Sequence, residues 1–92
     1  MEKIQINDSE YELIKNNGDC FNYEDFIEKI TDYFYDYDYI FADFAYDKMR
    51  LKGFFDSSNK KVTDVNNIDN LDDYIENYCA YGAKYFLLKK IK

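Results

Sequence analysis

Residues 40–55 read IFADFAYDKMRLKGFF, two apolar-rich runs on either side of Asp47 and Lys48. Aromatic and branched residues at this density favour extended chain, and the polar pair at the centre marks a reversal. A two-residue Asp47-Lys48 loop would set Tyr46 against Met49, Ala45 against Arg50, Phe44 against Leu51, and Asp43 against Lys52. Ala42 would then meet Gly53, Phe41 would meet Phe54, and Ile40 would meet Phe55. This register sorts the side chains. Ile40, Ala42, Phe44, Tyr46, Met49, Leu51, Gly53 and Phe55 share a face suited to a core, on which Ala42 and Gly53 leave room for a helix. Phe41, Asp43, Arg50, Lys52 and Phe54 gather on the other face, with Arg50 diagonal to Asp43. A slip of one residue would mix the two sets, because strand side chains alternate. Asp-Lys is not a favoured tight-turn pair, so a longer loop is the alternative.

Working outward, residues 3–6 and 11–15 are short apolar-containing runs separated by Asn7, Asp8 and Ser9, which reads as a hairpin. Asn17 and Gly18 turn the chain, and Asn22 caps a helix expected over 23–35, with Tyr23, Phe26, Ile27, Ile30, Phe34 and Tyr37 at helical spacing. After the loop at 56–59, Asn70 caps a second helix with Leu71, Tyr74, Ile75, Tyr78 and Tyr81 on one face. Gly82 sits where a left-handed residue is wanted, and residues 84–91 return as a strand. The order ββαββαβ predicts an α+β domain spanning 1–92, with a mainly antiparallel sheet of about five strands and both helices packed on one face.

Composition narrows the function classes. Ninety-two residues support one hydrophobic core. There is no histidine, and hence no imidazole for a zinc site or for a Ser-His or Cys-His pair. No phosphate-binding glycine loop of the GxxxxGK or GxGxxG type occurs. The reading is therefore a protein that is not an enzyme and uses no cofactor or metal. MEKIQIND lacks the basic and apolar regions of a secretory signal, and no apolar run is long enough to span a membrane. A cytoplasmic location follows, with Cys20 and Cys79 as free thiols. The net charge of −7 is unevenly spread: residues 1–47 hold thirteen Asp/Glu against three Lys, and residues 48–92 hold six against nine Lys/Arg. Eleven lysines accompany a single arginine, Arg50, so its planar, multi-donor head group asks for an explanation.

The blocks YDYIFADFAYDKMRLKGFF (37–55) and LDDYIENYCAYGAKYFLLK (71–89) resemble the YutD-like family of small proteins from low-G+C Gram-positive bacteria. The resemblance is carried by Asp43, Tyr46, Arg50, Leu51, Lys52, Gly53 and Phe54 together with Tyr78, Cys79, Gly82, Tyr85 and Phe86, and extends from Tyr11 to Lys89. The family commonly has Gly-Asp-Trp-Gly where this chain has Ala42 to Ala45, and often a second Cys where it has Ala83, a departure that speaks against a two-thiol redox or metal role. The resemblance implies a cytosolic protein of this fold and assigns no activity.

Two surfaces are candidate partner sites. The first is the sheet face of Phe41, Asp43, Arg50, Lys52 and Phe54, which reads either as a cross-strand ion pair beside an aromatic pair or as a platform for RNA or a nucleotide phosphate. Exposed Phe41 and Phe54 on this face would also support weak homodimerisation. The second is the acidic stripe Glu24, Glu28, Asp32 and Asp36, four apart on the first helix with Asp25 alongside and Asp38 beyond. Like charges at that spacing do not stabilise a helix, so the stripe is either a solvated face or a face for a basic partner. The functional expectation is an interaction module with a protein partner. RNA or nucleotide binding, and acidic mimicry that inhibits a nucleic-acid-binding protein, are the alternatives.

Overall fold

The computed structural model describes residues 2–6, 9–45, 48–79 and 82–91. Five strands form one antiparallel sheet in the order β1-β2-β5-β3-β4: β1 (Glu2–Ile6), β2 (Ser9–Asn17), β3 (Tyr39–Ala45), β4 (Lys48–Phe54) and β5 (Tyr85–Lys90). Helix α1 (Tyr23–Lys29) lies between β2 and β3, and α2 (Leu71–Tyr78) between β4 and β5. The α+β class, the five antiparallel strands and the two helices are as the sequence predicts. Asn7, Asp8, Tyr46, Asp47 and Tyr81, to which the sequence reading gives turn, pairing or helix roles, lie outside the described residues.

The helices occupy opposite faces of the sheet, which corrects the expectation of a shared face. Phe26 of α1 packs on Ile40, Ala42, Phe86 and Leu88. Leu71 of α2 joins Phe41, Phe54 and Leu87 on the other side, with Tyr74 and Ile75 against them. The cause lies in the central strands. Ile40-Phe41-Ala42 in β3 and Phe86-Leu87-Leu88 in β5 are buried without a break, the pattern of strands covered on both faces. One helix can cover one face, so the second must cover the other. Both crossovers, β2-α1-β3 and β4-α2-β5, skip one strand and run in opposite directions across the sheet. A common hand would put both helices on one face, so the observed placement needs one crossover of each hand.

The central hairpin keeps the expected faces but not the expected pairs. Asp43 opposes Arg50, Phe41 opposes Lys52, Ile40 opposes Gly53, Tyr39 opposes Phe54, and Ala45 opposes Lys48. The register is two residues away from an Asp47-Lys48 loop, and a shift of two returns every side chain to its own face. Gly53 explains part of the choice. A Cβ there would lie 2.2 Å from the Tyr37 ring, which itself stacks on Phe55 at 4.5 Å, so an aromatic ring rather than a helix fills the room this glycine leaves.

The first helix is shorter than the predicted 23–35. Asn22 caps it, accepting from the Asp25 amide at 3.0 Å, but the chain is extended at Ile30 and Thr31 and resumes as a 3-10 turn at Asp32–Asp36. Branched and aromatic residues crowd this stretch, and the four-residue spacing of acids opposes a continuous helix. Asn67, not Asn70, provides the side-chain cap near α2: it accepts from the Asp69 amide at 2.9 Å at the start of a 3-10 turn leading into the helix, while Asn70 makes no capping hydrogen bond. Gly82 has the expected positive φ of 74°, but α2 has already ended at Tyr78, with Cys79 as its cap.

Candidate functional site

Phe41, Asp43, Arg50, Lys52 and Phe54 do share one face, as the alternation requires, but α2 lies over them. Phe41 and Phe54 are fully buried, their rings edge-on to each other at 6.3 Å and to Tyr74 at 5.7 and 5.6 Å. The expectation of an exposed aromatic platform for bases or for self-association is therefore corrected: α2 takes the place that a ligand or a second copy would have taken.

Asp43 is 2% exposed and Arg50 answers it from directly across the hairpin, Nη2 to Oδ2 at 2.5 Å. The same Nη2 reaches the Tyr78 backbone carbonyl at 3.3 Å. That oxygen belongs to the last turn of α2, where carbonyls lack intrahelical partners and a cation is favoured by the helix dipole. This accounts for the single arginine: its head group joins two strands to the end of a helix. Cys79, the residue that closes α2, faces the same carboxylate. Burial, and then the charge of Asp43 and a hydrogen bond to it, push the thiol up to about 11. The hydroxyl of Tyr74 is raised by the same two influences, burial before charge. Lys52 Nζ lies over the rings of Phe54, at 5.2 Å, and Tyr74, at 5.5 Å, within cation–π range. Beside it is an open cleft of about 510 Å³ walled by Phe54, Tyr74, Tyr78, Asp64 and Asp73.

The acidic set is divided by the break in the helix. Glu24 and Glu28 stand on α1, Asp32 and Asp36 on the 3-10 turn, and all four are exposed. Asp36 pairs with Lys61 at 3.3 Å. Asp38 is structural instead, accepting the Asp56 amide at 2.8 Å and the Asn59 side chain at 3.0 Å. The sequence reading missed the apolar company of these acids. Tyr23, Ile27 and Tyr33 are 47%, 37% and 67% exposed and interleave with Glu24, Asp25, Glu28 and Asp32. An open cleft of about 330 Å³ also adjoins them, lined by Asp25, Glu28, Lys29, Phe44 and Met49. The sequence signal is present: Tyr23 and Ile27 stand at helical spacing with Phe26, and in a helix of two turns Phe26 is the buried residue.

Among the described residues no group of three or more His, Cys, Asp and Glu side chains could hold a metal ion. No described helix is long and apolar enough to cross a membrane.

Residues 5–89 match the family model described as "Putative antitoxin YutD-like". The chain belongs to the YutD-like family. It is 46% identical over 89 residues to the Bacillus subtilis (strain 168) protein described as "Putative antitoxin YutD", covering 97% of this chain and 98% of that protein. The solution NMR structure of yutD from B. subtilis superposes with a TM-score of 0.82 at 44% identity, over 100% of this chain and 84% of that one. The fold described above is thus the fold of a family member whose structure has been solved.

Proposed function

We propose that this YutD-like chain is a cytoplasmic, non-catalytic, single-domain binder that holds a basic surface of a protein partner against its α1 and 3-10 segment. The observation that carries the reading is the interleaving along residues 23–33. Exposed Tyr23, Ile27 and Tyr33 alternate there with the exposed carboxylates of Glu24, Asp25, Glu28 and Asp32. A merely solvated face needs the charges but not the apolar area. An interface with a basic partner uses both, the rings for buried area and the acids for steering and register. The word antitoxin in the descriptions of the relatives fits a stoichiometric binder of this kind, and the partner proposed on that basis is a toxin-like protein with a basic face. Acidic mimicry of nucleic acid is a special case of the same reading. The Arg50/Lys52/Phe54 face gives RNA binding less support, because Arg50 is spent on Asp43 and Tyr78 and both phenylalanines are covered.

In-cell crosslinking followed by purification of the chain, with and without nuclease, tests the proposal. The expected result is a crosslinked protein species that survives nuclease and is lost from Glu28→Lys/Asp32→Lys. Unchanged recovery with that variant, or recovery abolished by nuclease, would overturn it.

A further inference from the structure

Strand β4 ends the sheet. It pairs with β3 on one side, and among the described residues no strand lies on its other side from Lys48 to Gly53. At Phe55 the edge is closed by a parallel bridge to Asn67, with the Phe55 amide donating to the Asn66 carbonyl at 2.7 Å. What stays open is a run of backbone donors and acceptors able to template another strand. Its side chains follow a strict alternation. Lys48, Arg50 and Lys52 line the face toward α2, while Met49 and Leu51, both half-buried, line the face toward α1.

We infer that the Lys48–Gly53 edge is a docking site for an extended peptide strand in which acidic side chains alternate with apolar ones. Cross-strand neighbours share a face of the sheet, so residues opposite Lys48 and Lys52 meet cations, Arg50 being held by Asp43 and the Tyr78 carbonyl, while those between them meet Met49 and Leu51. Main-chain bonds along an added strand supply affinity, and the alternating side chains supply the choice of partner. The charge also excludes the nearest competitor. A second copy docked β4 to β4 would bring Lys48, Arg50 and Lys52 of both copies onto a common face. The opposite edge of the sheet is no better as a partner, since on the corresponding face β1 carries Lys3 and Gln5 and no acid. Met49 also lines the cleft beside Asp25 and Glu28, so the two sites are neighbours, but the edge is built from β4 alone and stands whether or not the proposed function does.

The experiment is a titration of the isotope-labelled full chain with a hexapeptide of alternating Glu and Val, blocked at both ends and followed by backbone amide shifts. The amides of Lys48–Gly53 are expected to move. Methylation of the peptide's alternate backbone nitrogens should abolish the shifts, and Lys48→Glu should weaken the binding at least tenfold. Lys48 is exposed, and the methylated peptide tests the strand geometry without altering the protein. The inference is overturned if no β4 amide moves at millimolar peptide, or if a Lys-Val peptide binds equally well. It is also overturned if the β4 amides change with protein concentration alone, since the occupant would then be a second copy.

Discussion

The two faces of the sheet are both closed by a helix, yet they handle charge in opposite ways. On the α1 side Ile40, Ala42, Phe86, Leu88 and Phe26 form a core that holds no buried charge among the described residues, and the charges of that helix stand outside in solvent. On the α2 side the buried carboxylate of Asp43 sits at the margin of a core of Phe41, Phe54, Leu71 and Leu87, tied by Arg50 to the end of the covering helix. A helix held mainly by apolar packing, with a hydrogen bond from the Tyr23 hydroxyl to the Gln5 carbonyl, leaves most of its outer face free for another task. A helix held by an ion pair has the chain's one arginine committed to the fold. The proposal of recognition by the outer face of α1, with the Asp43–Arg50 pair serving the fold, rests on this difference.

The largest test of that division compares two buried rings. Phe86→Ala on the α1 face and Phe41→Ala on the α2 face should each cost about 3–5 kcal/mol in urea unfolding, because both side chains are fully buried among other aromatics. Were the α2 face a binding platform, Phe41→Ala would be nearly neutral. A loss below about 1 kcal/mol at Phe41 with a full loss at Phe86 would break the comparison.

A sharper and smaller test removes the guanidinium. Arg50→Ala leaves a nearly inaccessible carboxylate without its ionic partner, and the cost of such a group is about 1–3 kcal/mol. Half of Arg50 is in solvent, which screens the pair and places the expected loss toward the lower end. Asp43→Ala combined with Arg50→Ala should be less damaging than the sum of the two single changes, since the second deletion removes what the first left unsatisfied. Strict additivity would show that the two residues do not act together.

These cases show what a sequence can and cannot specify. The alternation in residues 40–55 determined which side chains share a face, since that depends only on parity. It could not separate two registers that differ by two residues, because both satisfy the same pattern. The choice between them rests on contacts remote in sequence, such as the Tyr37 ring over Gly53. The position of α2 was legible in the unbroken apolar runs at 40–42 and 86–88, which mark strands covered on both sides, but the hairpin pattern drew attention to a single core face. Arg50 stood out by its rarity, and its pairing with Asp43 was read correctly as to partner and incorrectly as diagonal. Its bond to the Tyr78 carbonyl left no trace in the sequence, because a backbone acceptor carries no residue identity.

The smallest effect on neutral-pH stability is expected at Cys79, and it probes the α2 end most directly. The thiol is raised from an ordinary 9.0 to about 11, first by burial and then by the neighbouring Asp43 carboxylate. Between those values the folded chain holds the proton that the unfolded chain has released, so the contribution to stability is fully present below pH 9 and is lost as pH rises through 11. Nothing is gained or lost at pH 7. The readout is therefore chemical: with Cys20→Ser as background, alkylation of Cys79 at pH 8.5 should be at least about tenfold slower in the folded chain than in urea, because the thiolate is the nucleophile. Equal rates would mean that the thiol is free of the carboxylate and of its cover. The end of α2 would then be open, and the contrast between a clamped face and a packed one would lose its basis.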